Sequence, residues 1–282
     1  MTGPGGDGAA AGGRGGGPAV LLCAGMGDGV GTWDAVAPLL GAAGWRVARL
    51  DRPGLGALPD DGAAPTLAGE VARIDAGVAG LGRPVLVAHS AAALPAEAYA
   101  RLHPGRLAGL VLVDPSVVVE QPAWVRVARW SAGAVAGRAS ALGGFLDRSG
   151  LAVRVGPWAW ERAVRRMSVR PPDRALGLPY ASGSALARVL VEWLAYPSMA
   201  AELVEVRRRT AAPALPVRVL TALGDVTAPA GRTAWRGGHD RLAGSFPAGR
   251  HEVFRDARHL LHSDHPEVVV RAVTAVGRDG GS

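Results

Sequence analysis

Ser90 lies in Val87-Ala88-His89-Ser90-Ala91-Ala92, where an apolar run ends and a helical stretch begins. A serine on such a strand-to-helix turn has its hydroxyl pushed out over the end of a sheet, if the residues two before and two after it are small. Here they are Ala88 and Ala92. The same residue could instead simply cap a helix. A serine hydroxyl is a weak nucleophile, so chemistry needs a base to take its proton and an acid to orient that base. Downstream, Asp225 closes Ala222-Leu223-Gly224-Asp225, and His259 follows a later run in Asp256-Ala257-Arg258-His259-Leu260-Leu261. Asp114, in Leu112-Val113-Asp114-Pro115, ends an apolar run as well and is a second carboxylate to consider.

These residues need a frame. Ala19–Cys23, Trp45–Leu50, Val85–Ala88, Leu110–Val113, Val217–Thr221 and Glu252–Arg255 read as strands. Most are continuous apolar runs, as expected where both faces of a parallel sheet are covered. Helical stretches fall between them, near Trp33–Leu40, Leu67–Leu81, Ala91–Leu102, Gly231–Leu242 and Pro266–Val276. Alternating strands and helices predict an α/β sheet with right-handed crossovers. Ser90, Asp225 and His259 then each stand at the carboxyl end of a different strand, the end at which open α/β sheets place ligands.

One interval breaks the alternation. From Val117 to Leu215 no strand is evident, and five of the eight tryptophans lie there, with helical stretches such as Trp124–Val135 and Ser184–Leu194 broken by Pro171-Pro172 and Pro197. An insertion of that length predicts a helical lid over the sheet rather than a structureless loop. The expected division is a disordered Gly/Ala-rich tail at 1–17, a core at 18–116 and 216–282, and the lid at 117–215.

Further motifs extend the pattern upstream. Leu21-Leu22-Cys23-Ala24-Gly25-Met26-Gly27, with Trp33 beyond, is similar to an HG-x-G oxyanion loop, and Asp51-Arg52-Pro53-Gly54-Leu55-Gly56 to a D-R-x-G-x-G loop. His103-Pro104-Gly105-Arg106 through Asp114-Pro115 resembles the stretch that follows an elbow helix. With the chain order Ser, Asp, His, the sequence resembles the α/β-hydrolase superfamily in its capped, serine-nucleophile branch, over Pro18 to Gly277 apart from the lid. The resemblance implies an α/β-hydrolase fold: a mostly parallel sheet flanked by helices with an inserted helical lid. It implies Ser90 as nucleophile, His259 as general base and then acid, and Asp225 as its orienter. Asp225 matches the usual acid position, which leaves Asp114 as a structural residue where the chain enters the lid. The backbone N–H groups of Met26 and Ala91 would form the oxyanion hole. The departures are Ala24 in place of the histidine that braces the loop, and alanines for both elbow glycines.

The implied activity is hydrolysis of an ester, thioester or related acyl bond through an acyl-enzyme, with esterase-like chemistry foremost. An acyltransferase or carbon–carbon hydrolase would use the same residues, and a catalytically silent binder would keep the fold alone. Gly25-Met26-Gly27-Asp28-Gly29 after a strand imitates a dinucleotide fingerprint, but no G-x-G-x-x-G can be drawn through it. No cofactor and no metal are expected. His89 is expected to pack beside the serine. His262 and His265 read as solvated loop residues, and His103, His239 and His251 as surface or helix-end residues.

Composition excludes several other classes. The 282 residues are 49% hydrophobic and 20% charged, the balance of a globular domain. No apolar run approaches the ~18 residues of a membrane span. A single cysteine, Cys23, excludes an internal disulfide and reads as a small buried hydrophobe. The N-terminus lacks a secretion-signal pattern, which predicts a cytoplasmic protein. The net charge is +7 and every basic residue is arginine, a uniform substitution for lysine that points to coding bias. No basic run exceeds Arg207-Arg208-Arg209, so a nucleic-acid partner is not expected. The expected partner is a small acyl substrate; the basic, tryptophan-bearing lid would be the surface for any contact with a membrane.

Overall fold

The computed structural model describes residues 17–117, 129–171 and 173–280, with the backbone alone at 129–136. Six strands form one sheet: β1 (Ala19–Cys23), β2 (Arg46–Leu50), β3 (Val85–His89), β4 (Gly109–Val113), β5 (Pro216–Ala222) and β6 (Ala248–Phe254). Their order is β2-β1-β3-β4-β5-β6, and every pair is parallel. The β1, β3 and β4 sequences AVLLC, VLVAH and GLVLV are buried at each position. Branched and apolar side chains on both faces are what a sheet covered on both sides requires.

The two faces carry separate cores. Helices α2 (Leu67–Val78), α3 (Ala93–Leu102) and α7 (Pro229–Gly244) cover one, with Ile74, Leu94 and Leu242 against Leu21, Leu86 and Leu110. Helices α1 (Ala37–Ala42) and α9 (Pro266–Asp279) cover the other, with Leu40, Val269 and Val273 against Val20, Val87 and Val111. Each fully buried aliphatic side chain contributes about 1.5–3 kcal/mol. Thr66 caps α2 by accepting from the Gly69 N–H at 3.0 Å, and Pro229 and Pro266 open α7 and α9.

Two elements differ in more than a shift of a few residues at their ends from what the sequence predicts. The Trp33–Leu40 stretch divides into a 3-10 turn at Val30–Trp33 and then α1, because Trp33 is fully buried as an anchor and Pro38 suits only the start of the helix. Strand β6 begins four residues before Glu252, since an edge strand tolerates Arg250, His251 and Glu252 and does not read as an apolar run.

Between β4 and β5 the described chain holds no strand. It forms α4 (Arg129–Arg148), α5 (Leu151–Met167), a 3-10 stretch at Arg174–Ala181 and α6 (Gly183–Arg209). The tail at 1–16 and residues 124–128 of the Trp124–Val135 stretch lie outside the described residues, as does Pro172, and the rest of that stretch opens α4. Among the described residues no helix is long and apolar enough to cross a membrane.

The strand order reverses direction between β1 and β3, the point where an open α/β sheet parts its connections to leave a crevice. The loop after β1 and the turn after β3 meet there.

Candidate active site

Strand β3 ends at His89, and Ser90 follows with φ of +52° before a 3-10 turn and α3. A non-glycine residue in the left-handed region is strained by about 1–3 kcal/mol and is held there by its surroundings. Ala88 and Ala92 are 0% and 3% exposed, so the elbow has no space for larger residues at either position. The Ser116 N–H donates to the Ser90 carbonyl at 3.1 Å.

The Ser90 hydroxyl lies 2.9 Å from Nε2 of His259, and Nδ1 of His259 lies 2.6 Å from Oδ2 of Asp114. A carboxylate only accepts, so His259 carries its hydrogen on Nδ1, and Nε2 is free to accept from Ser90. The expectation that Asp225 orients this ring is corrected. Asp225 accepts instead from the His259 backbone N–H, at 3.2 Å. Asp114 prevails because its neighbours aim it. Its φ is +40°, and its Oδ1 accepts from the Ala222 N–H at 2.9 Å and from the Trp235 indole at 3.0 Å, which turns Oδ2 to the imidazole. Asp114 ends β4 and Asp225 follows β5, which are adjacent strands; both carboxylates therefore reach the same histidine, one at its ring and one at its backbone.

Burial of the His259 ring opposes its protonation, but the hydrogen bond and charge of Asp114 outweigh that, with smaller help from Asp225 and Asp28. Its pKa is raised above the ordinary value. His262 behaves in the opposite way. It is fully buried, against the expectation of a solvated residue, because the short helix α8 (Leu261–Asp264) folds its ring between Trp33 and His89, 4.5 and 4.4 Å away. Burial holds its pKa well below the ordinary value, and Thr32 Oγ1 lies 2.8 Å from its Nε2. His239, expected near the surface, is also buried: Nε2 meets the Pro115 carbonyl at 2.6 Å and Nδ1 meets Thr221 at 2.7 Å, which backs the Asp114 turn. His89 packs beside Ser90 as expected, and burial pushes the Cys23 thiol up to about 12.

The loop after β1 lies against the elbow. A Cβ on Gly25 would come within 2.8 Å of His89 Nδ1 and 3.2 Å of Ser90 Cβ, so only glycine lets the backbone approach so closely. Met26 and Ala91, the two residues whose amides are expected to bind an oxyanion, line one small recess together. The next residue is clamped by the insertion. The Gly27 N–H donates to Glu192 of α6 at 2.9 Å, and the Gly27 carbonyl accepts from the Tyr180 hydroxyl. Glu192 is 1% exposed, pairs with Arg52 at 2.8 Å and with Arg188 at 3.4 Å, while Arg52 donates to the Ala24 carbonyl at 3.4 Å. Arg52 and Glu192 thus brace the loop at the position where Ala24 replaces the usual histidine. Asp51 shapes the loop that presents Arg52, accepting from the Arg52 and Ala57 amides at 2.9 and 2.6 Å. Trp235, Tyr180 and Glu192 carried no sequence signal, because nothing in the insertion or in α7 resembles a motif.

A cavity of 440 Å³ lies between the insertion and the core. Leu55, Trp160, Val164, Leu176, Tyr180 and Leu260 give it an apolar wall. Asp28, next to Gly27 in the chain, and Leu260, next to His259, also line it, while Ser90 and His259 themselves do not.

The sequence profile of the alpha/beta hydrolase family matches residues 20–272, and the chain belongs to that family. A search of curated proteins finds no match. The chain is similar in structure to a thermophilic esterase from Thermogutta terrifontis, with TM-score 0.65 and 22% identity over 97% of this chain and 94% of that one. It is similar to the thioesterase domain from the curacin biosynthetic pathway, with TM-score 0.61 and 15% identity over 92% of each chain. An alpha/beta hydrolase fold protein from Burkholderia ambifaria matches with TM-score 0.63 and 23% identity over 95% and 93% of the two chains. These likenesses carry the fold.

Proposed function

We propose that the protein is a serine hydrolase that cleaves an ester, thioester or related acyl bond of a small, largely apolar substrate. The observation that supports it best is the hydrogen-bonded line Ser90–His259–Asp114, at 2.9 and 2.6 Å, with Ser90 on a strained elbow. Ser90 attacks the carbonyl carbon while His259 takes its proton, and Asp114 holds the imidazolium that forms. The carbonyl oxygen, now negative, accepts from the Met26 and Ala91 N–H groups; one such donor is worth about 2.7–4 kcal/mol in the transition state. His259 then gives its proton to the leaving oxygen or sulfur. A water that passes a proton to His259 attacks the acyl-enzyme and releases the acid. The insertion acts as a lid: it supplies the apolar wall of the cavity and fixes Gly27 beside the oxyanion donors.

The test is a fluorophosphonate probe read by intact mass, on the wild type beside Ser90→Ala and His259→Ala. One label per chain, lost in both variants while they stay folded, supports the reading. No labelling of a folded wild type overturns it.

A further inference from the structure

One charged side chain near Ser90 makes no hydrogen bond to the Ser90–His259–Asp114 line. Asp28 is 20% exposed, and among the described residues no donor hydrogen-bonds its carboxylate. Its nearest polar neighbour is Nδ1 of His89 at 3.7 Å, too far for a hydrogen bond. The His89 ring is 1% exposed, and its Nε2 lies 3.0 Å from the His259 carbonyl. A carbonyl only accepts, so the hydrogen of the neutral ring sits on Nε2 and Nδ1 turns a lone pair toward Asp28. That Nδ1 is buried without a partner among the described residues. Two acceptors therefore face each other across a space that calls for a donor, and the one on His89 is buried without it.

The location gives the carboxylate a meaning. The point a Cβ would occupy on Gly25 is 3.2 Å from Ser90 Cβ and 3.4 Å from Asp28 Oδ2, so the carboxylate stands within a few bonds of the reacting hydroxyl. It also lines the 440 Å³ cavity. The other two carboxylates of that wall are engaged, Asp34 with Arg49 and Asp173 with the Ala175 N–H at 2.9 Å. The rings of Trp160 and Tyr180 stack at 6.0 Å in the same wall and offer the π faces that suit a cation. Arg170 also lines the cavity, but as an exposed side chain.

We propose that Asp28 anchors a cationic nitrogen, and that the substrate is an ester or thioester with an ammonium group within a few bonds of the scissile carbonyl and an apolar body that fills the cavity. This rests on the serine-hydrolase reading above. The ammonium supplies the donors that Asp28 lacks, and its charge is balanced at the point of binding.

Three ethyl esters of one skeleton test it: leucine ethyl ester (cationic), ethyl 4-methylpentanoate (neutral) and monoethyl isobutylmalonate (anionic). The expected kcat/KM for the cationic ester exceeds that for the neutral one by about tenfold or more, as for one charge-assisted contact. In Asp28→Asn that ratio falls to about one, and Asp28→Glu restores part of it. Equal rates in the wild type, or a preference for the anionic ester through Arg170, overturn the proposal. If fluorophosphonate fails to label Ser90 and no ester is turned over, the hydrolase reading falls and the anchor is tested by binding. Isoamylamine is then titrated against isoamyl alcohol by calorimetry, on wild type and Asp28→Asn. Amine binding that is lost in Asp28→Asn upholds the anchor, and equal binding of amine and alcohol overturns it.

Discussion

Asp114 and His259, 145 positions apart in the chain, meet at 2.6 Å through Oδ2 and Nδ1, while Asp225 holds the backbone of the same histidine. The ring and the main chain of one residue are thus fixed by carboxylates from two neighbouring strands.

Replacing the two carboxylates separates their parts. Asp114→Asn presents an amide to Nδ1 and favours the wrong tautomer, with an expected loss in kcat of about 10³–10⁴-fold, the scale known for such a change in a serine triad. Asp225→Asn keeps an oxygen for the backbone N–H and should lose less than about tenfold, in line with one hydrogen bond weakened rather than removed. Steady-state kinetics on a soluble ester decides, and equal losses would contradict the assignment.

The raised pKa of His259 sets the direction of the pH profile. In the proposed reaction its neutral form is the base, so activity is expected to fall as pH drops through a value above the ordinary histidine pKa of about 6.5. Its charged form is favoured by folding, so this group contributes stability at low pH that is lost as pH rises through the raised value. In Trp235→Phe, Oδ1 of Asp114 loses its indole donor and keeps only the Ala222 N–H. The carboxylate becomes more basic, so the acid limb of kcat/KM should move up and kcat should fall by about tenfold or less, the share of a single buried hydrogen bond. An unmoved limb would remove Trp235 from the positioning of Asp114.

His262 predicts acid lability. Its folded-state pKa is depressed by burial, so the unfolded chain binds a proton that the folded chain refuses. Stability present above about pH 6.5 should decline below it by roughly 1.4 kcal/mol per pH unit, the linkage slope for one proton. Urea titrations of wild type and His262→Gln between pH 7 and 5 check this. The slope should be shallower in the variant, and parallel slopes would refute the assignment.

The clamp on Gly27 predicts a division between catalysis and binding. Tyr180→Phe removes the hydroxyl from the Gly27 carbonyl and should lower kcat more than it changes KM, at a stability cost of about 1 kcal/mol. Glu192→Ala also strands Arg52 in the interior, while Arg188 keeps Asp60 and Asp61, with an expected loss of about 3–5 kcal/mol. Thermal melts beside the kinetics distinguish the two effects. A Tyr180→Phe enzyme with unchanged kcat would sever the insertion from the oxyanion loop.

The alternation of apolar runs and helices in the sequence determined the parallel sheet and the long insertion, because continuous burial on both faces leaves a pattern that needs no knowledge of contacts. It also determined where Ser90 and His259 stand, since a small-residue elbow and a strand-ending histidine are local features. Which carboxylate meets the imidazole was not local. Asp114 and Asp225 both close strands, and the tertiary structure chose Asp114 because the Trp235 indole, the Ala222 amide and a left-handed backbone at φ +40° aim its free oxygen at the ring. His262 is buried against the sequence expectation for the same reason: nothing in Leu260-Leu261-His262-Ser263 tells that a four-residue helix tucks the ring under Trp33. The bracing of Gly27 by Tyr180 and Glu192 likewise joins residues 153 and 165 positions apart. Spacing along the chain encodes periodic burial, whereas a hydrogen bond between distant elements exists only once the core has brought them together.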